Sequence, residues 1–319
     1  MNPFDAFVAR AGERRLGDLL QAQEPGQGTY VFVGVAEDIG IRANLGRAGA
    51  AETPEAVFKA LANMPMNEWL NGDSLGWLWV DVQEVQAKSQ SVHDLDGLRK
   101  LTSEVDSRVQ TALEPLFAKG QVPILIGGGH NNAYPLLMAA AKAGGPLHAL
   151  NFDPHPDVRA LEGRHSGNGF SYAKAAGALD RYAVLGLSEH GVNEASLSAL
   201  KETKDWTYET YESWGIRGEQ SLDQARERLL QHVQVGRFGL EVCADGIASC
   251  PSSAMSHVGW SWMDVAETAY RAGQTGQCTY LHLAEASVGL ARPSEQMALA
   301  KSVAYSAIQF IRGCQNLPW

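Results

Sequence analysis

Short apolar runs alternate with longer amphipathic stretches along most of the chain. Near-continuous apolar runs of this kind are typical of strands that are buried on both faces. They predict strands at residues 29–35, 75–82, 122–126, 147–152, 182–187, 238–242 and 279–283. Apolar residues at helical spacing predict helices at residues 11–22, 95–119, 132–143, 221–233, 262–271 and 295–312, and one that begins with Thr53 as N-cap and Pro54.

This alternation of strands and helices predicts an α/β fold with a mostly parallel sheet covered by helices on both faces. Residues 188–220 follow neither pattern clearly. The chain has no internal repeat and no linker-like stretch, so we expect one domain over residues 1–319. Residues 1–28 are polar and are predicted to form a peripheral N-terminal segment.

Charge and cysteine content narrow the class of protein. The 319 residues carry a formal net charge of −10, which argues against nucleic acid or an anionic membrane as the main partner. The four cysteines lack C-x-x-C spacing, as is typical of a protein in a reducing compartment. Since the N-terminus has no signal-peptide pattern and no apolar run could span a membrane, we expect a cytoplasmic protein.

Two carboxylates and an imidazole follow the predicted strand at residues 147–152. Asp153, His155 and Asp157 lie at alternate positions, and in an extended backbone their side chains would point the same way. Acidic groups at the end of a buried strand are unfavourable unless something positive binds them. The motif therefore indicates either a divalent-metal site or a polar loop without a metal.

Other predicted strands also end in polar groups, and the carboxyl ends of parallel strands meet at one edge of a sheet. His130 follows three glycines and is either a metal ligand or a satisfied buried histidine. Asp245 is a candidate ligand after the strand at 238–242. Cys243 is either a small buried side chain or a thiolate ligand that would favour a softer metal.

Two further charged residues have alternative interpretations. Glu285 follows the last predicted strand and is either a surface acid at a helix end or a group that orients a cationic amidine. Arg159 either pairs with Asp157 or Glu162, or binds a substrate carboxylate through its planar guanidinium.

Other catalytic classes fit poorly. The glycines before His130 lack both the Gly-Lys-Ser/Thr ending of a phosphate loop and the G-x-G-x-x-G spacing of a dinucleotide site. The chain has no G-x-S-x-G motif, and the adjacent residues Ser188, Glu189 and His190 are too close in sequence to form a triad by themselves.

Taken in order, these motifs resemble those of the arginase (ureohydrolase) superfamily, and most of all its formimidoylglutamase branch. The resemblance spans about residues 30 to 290. The matching stretches are residues 38–50, 127–134, 151–159, 162–170 and 241–255. Two positions match the formimidoylglutamase branch in this resemblance. One is Gly129, where arginases usually carry an aspartate, and the other is Arg159. The resemblance implies a three-layer α/β/α fold.

The resemblance also implies a centre of two Mn²⁺ ions per chain. His130, Asp153 and Asp157 would hold one ion, and Asp153, His155 and Asp245 the other. Cys243 occupies the position of an aspartate that bridges both ions in the family. Because a single sulfur binds Mn²⁺ poorly, one ion or a softer metal is the alternative.

The chemistry implied is hydrolysis of a C–N bond in a small acidic amidine, namely N-formimidoyl-L-glutamate plus water giving L-glutamate and formamide in histidine breakdown. Asp245 would hold or deprotonate the water, and Glu285 would steady the departing or cationic nitrogen. Arg159, with Ser166 and Asn168, would bind the substrate carboxylates.

The alternative is a degenerate, non-catalytic member of the family that serves binding or assembly. Family members commonly form homo-oligomers.

Overall fold

The structure is a computed structural model that describes residues 2–5 and 7–315. Within these residues one sheet contains the strands β1 (Tyr30–Gly34), β2 (Leu75–Trp79), β3 (Val122–Ile126), β4 (Leu147–Phe152), β5 (Leu179–Leu187), β6 (Trp206–Thr210), β7 (Phe238–Cys243) and β8 (Cys278–Ala284). Their order across the sheet is β2-β1-β3-β8-β7-β4-β5-β6, and every neighbouring pair is parallel. The predicted parallel sheet is confirmed.

Helices cover both faces of this sheet. The helices are α1 (Leu16–Leu20), α2 (Ile39–Ala43), α3 (Thr53–Ala62), α4 (Gln83–Ser89), α5 (Leu95–Ala118), α6 (Ala133–Gly144), α7 (Gly169–Ala175), α8 (Glu194–Glu202), α9 (Tyr211–Gly215), α10 (Leu222–Val233), α11 (Trp262–Gln274) and α12 (Gln296–Cys314). Helices α1, α3, α10, α11 and α12 contribute to one hydrophobic core, and α2 and α4–α8 contribute to the other.

Successive residues along a strand belong alternately to the two cores. In β1, Tyr30 and Phe32 join the first core, and Val31 and Val33 join the second. This follows from the period of two in a strand, and it explains why these runs are apolar at consecutive positions. The three-layer α/β/α fold is confirmed.

Capping side chains mark where several helices begin. Asp94 accepts the backbone N–H of Gly97 at the start of α5. Ser221 and Ser261 form capping boxes at α10 and α11. The prediction of Thr53 as an N-cap is wrong, because Thr53 is already helical. Its hydroxyl instead accepts the N–H of Val288 and donates to a carbonyl on the same loop.

The structure also places the N-terminal segment, predicted to be peripheral, and residues 188–220, which followed no clear pattern. The N-terminal segment buries Phe4, Leu16 and Leu20 in the first core. Residues 188–220 contain α8, the edge strand β6 and α9.

Among the described residues, no helix combines the length and apolar character needed to cross a bilayer.

Candidate metal centre

Four strands that are adjacent in the sheet carry the predicted site residues at their carboxyl ends. They lie in the order β3-β8-β7-β4. His130 follows β3, Glu285 follows β8, and Asp153 follows β4, while Cys243 ends β7 just before Asp245. Residues from distant parts of the sequence therefore lie in one row along the edge.

A glycine-rich turn positions His130. Gly128 has a φ of 71°, and His130 begins a short 3-10 turn that leads into α6. The buried carboxylate of Glu37 holds the turn, because it accepts the N–H of Gly129 at 3.2 Å and the amide Nδ2 of Asn132 at 2.7 Å. The prediction that the glycines bring His130 to a helix N-terminus is confirmed.

His130 meets two carboxylates inside the protein. Its Nδ1 lies 2.9 Å from Asp153 Oδ2 and 2.8 Å from Asp157 Oδ2. The ring is buried, and neither ring nitrogen makes a hydrogen bond of acceptable geometry within the described part of the chain. Three potential metal ligands thus converge without forming hydrogen bonds to one another.

The convergence of Asp153, His155 and Asp157 does not come from an extended backbone, so that prediction is wrong. Residues 153–155 form a bend, in which the N–H of His155 donates to Asp153 Oδ1 at 2.8 Å. Asp157 has a left-handed backbone with a φ of 47°. Aspartate is one of the few residues other than glycine that tolerate this backbone conformation.

The remaining predicted ligands border this cluster. Nδ1 of His155 lies 3.5 Å from Asp153 Oδ1 and 3.9 Å from Asp245 Oδ2. Asp245 also accepts the N–H of Ala254 at 2.9 Å. Cys243 is buried, and its sulfur and one donor atom each of His130 and Asp153 lie within 4.8 Å of one another.

Proton affinities in the cluster depend strongly on these contacts. Burial lowers the pKa of His155, but the hydrogen bond with Asp153 and the nearby carboxylate charges outweigh it and raise the pKa to about 9. The pKa of Asp157 is raised by burial and by the charge of Asp153. Burial also raises the pKa of the Cys243 thiol well above its ordinary value, and the charges of Asp153 and Asp245 raise it further. In the absence of a cation, Cys243 is therefore a thiol.

A cavity of about 350 Å³ opens onto this cluster. Glu285 lies at its wall with 2% of its surface exposed, so the interpretation as a surface acid is wrong. Its Oε1 accepts the N–H of His130 at 3.0 Å, and its Oε2 has no hydrogen-bond partner among the described residues. Burial and the charge of Asp245 raise the pKa of Glu285 well above its ordinary value.

The cavity wall also carries a cation. Arg159 lines the cavity with half of its side chain exposed, and its guanidinium donates to Asn44 Oδ1 at 3.1 Å and lies 3.6 Å from Glu162. Asn44 also donates to the hydroxyl of Ser166 at 3.3 Å. Arg159 and Ser166 thus lie together at the cavity, linked by an asparagine that the sequence did not single out.

Asn168 lies elsewhere. It is fully buried, does not line the cavity, and accepts hydrogen bonds from Arg164 and from the N–H of His165. Its Nδ2 donates to the carbonyls of Ala160 and Gly163. These bonds engage its amide in holding the loop, while its predicted contact with substrate stays a prediction.

The sequence alone also missed a buried pair beneath His130. Glu241 and His282 lie in the middle of β7 and β8, where an apolar side chain is the usual occupant. The available signal was a charged residue inside an otherwise apolar predicted strand.

The donor set fits a metal ion. Carboxylates, imidazoles and one thiol converge at the cavity, and no Lys or Arg among the described residues forms an ion pair with Asp153, Asp157 or Asp245. The unsatisfied Nδ1 of His130 between two carboxylate oxygens is the arrangement that a cation would complete. Fold and donor set together define an α/β protein with a candidate metal centre at the carboxyl edge of its sheet.

The family model for the arginase family matches residues 29–309. The chain therefore belongs to the arginase family. A formimidoylglutamase of Streptococcus pyogenes is 26% identical over 246 residues, which cover 74% of this chain and 70% of the relative.

Solved structures share the fold of this chain. Formimidoylglutamase from Bacillus subtilis superposes with a TM-score of 0.80 at 17% identity, covering 99% of this chain and 97% of that one. Formiminoglutamase from Trypanosoma cruzi with Mn²⁺ gives a TM-score of 0.76 at 20% identity, covering 96% and 100%.

Proposed function

We propose that the protein is a metal-dependent hydrolase of a C–N bond in an acidic amidine, converting N-formimidoyl-L-glutamate and water to L-glutamate and formamide. The observation that carries the proposal is the His130, Asp153 and Asp157 cluster, which lies beside a cavity with Arg159 on its wall. The names of the S. pyogenes, B. subtilis and T. cruzi relatives support the choice of substrate.

Mn²⁺ is the metal that we propose, because carboxylate ligands suit hard divalent ions and the T. cruzi relative holds Mn²⁺. His130, Asp153 and Asp157 would hold one ion, and His155 with the shared Asp153 would begin a second site. Asp245 would complete the second site, and Cys243 would add a sulfur ligand to the centre. Bound ions would lower the pKa of water and polarise the amidine carbon.

Two side chains around the centre would have separate roles in the reaction. Asp245, which is held by the N–H of Ala254, would hold the attacking water and take its proton. Glu285 is fixed through Oε1 by the N–H of His130, which leaves Oε2 to accept an N–H of the cationic amidine.

Arg159 and Ser166 would bind the carboxylates of the substrate, and Asn44 would orient both. A substrate without a carboxylate would make no ion pair with this guanidinium. The position of Arg159 therefore favours an acidic amidine over agmatine-like compounds.

The test is the metal content of protein purified without chelator and dialysed against Mn²⁺, measured by mass spectrometry, with formamide release from N-formimidoyl-L-glutamate followed by NMR. We expect about two ions per chain and hydrolysis. Asp153→Asn should lose both metal and activity, whereas Asp180→Asn, a surface change at the amino end of β5, should lose neither. Protein that binds no metal and releases no formamide would instead be a degenerate family member.

A further inference from the structure

A buried carboxylate, which does not line the cavity, faces the Nε2 nitrogen of His130. Glu241 is in the middle of β7, aligned with Asn151 of β4 and His282 of β8, and its surface is fully buried. A carboxylate in the centre of a sheet is unfavourable unless its oxygens are hydrogen-bonded or its charge is balanced. The metal ligands proposed above do not include it.

The contacts of Glu241 are all with groups that can donate a proton. Oε1 accepts the hydroxyl of Tyr280 at 2.7 Å, and Oε2 lies 2.6 Å from His282 Nδ1. The same Oε2 lies 3.4 Å from Nε2 of His130. Among the described residues no Lys or Arg pairs with this carboxylate, and its polar partners there are the Tyr280 hydroxyl and two imidazole groups.

The two nitrogens of His130 therefore face two different partners. Nδ1 faces Asp153 and Asp157, and Nε2 faces Glu241. An imidazole that binds a metal through one nitrogen carries its proton on the other, and an acceptor at that second nitrogen fixes the tautomer and the ring orientation.

We propose that Glu241, held in place by Tyr280 and His282, is the positioning residue of the metal centre. Its Oε2, 3.4 Å from Nε2 of His130 and not in hydrogen-bond geometry here, would accept the Nε2 proton once Nδ1 binds an ion, and so would present the Nδ1 lone pair to the ion between Asp153 and Asp157. This inference rests on the proposed function, because it requires that the centre binds a metal.

A different assignment would make His130, Glu241 and His282 a metal site of their own, since one donor atom of each lies within 4.8 Å of the others. The 2.6 Å separation between Glu241 Oε2 and His282 Nδ1 argues against it. That contact has hydrogen-bond geometry, whereas the contacts of His130 Nδ1 with Asp153 and Asp157 do not.

The experiment compares Mn²⁺ affinity by calorimetry in the wild type, Glu241→Gln and Glu241→Leu. Glutamine keeps an acceptor for Nε2 but removes the charge, so we expect Mn²⁺ to bind about 10-fold more weakly. Leucine removes the acceptor as well, and we expect a loss of about 100-fold. Tyr280→Phe leaves the contact with His130 in place and should change the Kd by less than the glutamine variant.

A matched control separates positioning from plain stability. Thr268 is equally buried in α11, accepts a hydrogen bond from Arg226 and lies outside the site. Thr268→Val should lower the Tm and leave the Mn²⁺ affinity unchanged.

Glu241 variants that lower the Tm in the same way but bind Mn²⁺ as the wild type does would overturn the inference and leave the proposed function intact. Wild-type protein that binds no metal would end both. A metal count that drops by one whole ion in His282→Ala, with the other ions bound normally, would identify a separate site and overturn positioning.

Discussion

At the scale of single residues, Cys243 decides what kind of metal centre this chain can hold. Its thiol is buried among carboxylates, which disfavour the thiolate, so only a cation would stabilise the deprotonated form. A single sulfur also spans two ions less well than the two oxygens of a carboxylate. The centre is therefore expected to bind its second Mn²⁺ more weakly than its first.

Cys243→Asp tests this expectation. The aspartate should raise the affinity for the second Mn²⁺ and the rate of hydrolysis together, because a carboxylate can bind both ions. Metal titration and formamide release measure the two effects. In the wild type, a thiolate-to-metal charge-transfer band on loading with Co²⁺ would identify sulfur as a ligand. Cys250→Asp, which is also buried but does not line the cavity, is the control for a new buried charge.

Arg159 carries the prediction about substrate class. Arg159→Ala should raise KM by about 10- to 100-fold with a smaller effect on kcat, since a charge-assisted bond to a carboxylate contributes about 1.5–3 kcal/mol to binding. Steady-state kinetics separate the two constants. Arg271 is equally exposed and also pairs with a glutamate, but it lies on α11, so Arg271→Ala should change neither. An unchanged KM in Arg159→Ala would rule out its role as the carboxylate clamp.

At the scale of elements, the turn between β3 and α6 is built around a glycine that has no room for a side chain. A Cβ on Gly128 would lie 2.3 Å from Asn132 Nδ2 and 2.7 Å from Glu37 Oε1. The φ of 71° adds backbone strain for any other residue. Both effects act on the turn that holds His130.

Gly128→Ala should therefore destabilise the fold more than its backbone angle alone requires. Gly120 has a φ of 70°, and no described atom lies within 4 Å of the position that a methyl group would take there. Gly120→Ala therefore measures the backbone cost, about 1–2 kcal/mol. We expect Gly128→Ala to cost at least about 1 kcal/mol more in urea unfolding, and to weaken Mn²⁺ binding. Equal losses of unfolding free energy in the two variants would show that the side chains of Glu37 and Asn132 move aside without an energetic cost.

The loop at residues 162–169 predicts a pH dependence of stability. The buried ring of His165 accepts the N–H of Gly167 at Nδ1 and lies 3.1 Å from Glu162 at Nε2, an arrangement that fits the neutral ring. Burial lowers the pKa of His165 to about 4, from an ordinary value of 6.5. Between these values the unfolded chain binds more protons than the folded one, so stability falls as the pH falls.

The loss should reach up to about 3 kcal/mol as the pH drops from 6.5 towards 4. Urea unfolding of chelator-treated protein across this pH range measures the loss of stability. A variant at position 165 serves as the comparison, because the other titrating groups are the same in both proteins. His165→Asn keeps an acceptor for Gly167 but does not titrate, so its stability should fall less steeply. Parallel curves for the two proteins would assign the pH dependence to other groups.

The elements also explain what could be predicted from the sequence. Strands buried on both faces are apolar at most positions, and they were found. The edge strand β6 was missed because all five of its residues are only partly buried and several are polar. The candidate metal ligands at the strand ends were found because a parallel sheet places its carboxyl ends on one edge. The left-handed turn at Asp157 and the contact of Asn44 with Arg159 could not be found in this way, because they depend on tertiary packing.

At the scale of the whole molecule, the candidate centre joins segments that are far apart in the sequence. His130, Asp153 and Asp245 come from three strand ends, and each depends on the sheet for its position. An ion bound to all of them stabilises only the folded chain, because the unfolded chain does not hold these donors together.

The thermal stability of the whole domain should therefore depend on Mn²⁺. At a free Mn²⁺ concentration of about 100 Kd, binding at one site adds about 2.7 kcal/mol to the free energy of unfolding, which raises the Tm by several degrees over protein in chelator. Scanning calorimetry measures the shift. Asp157→Asn should abolish most of it, while Asp180→Asn should keep it. Identical Tm values in Mn²⁺ and chelator would mean that the native sheet holds no ion at this edge, and the hydrolase proposal would fall with it.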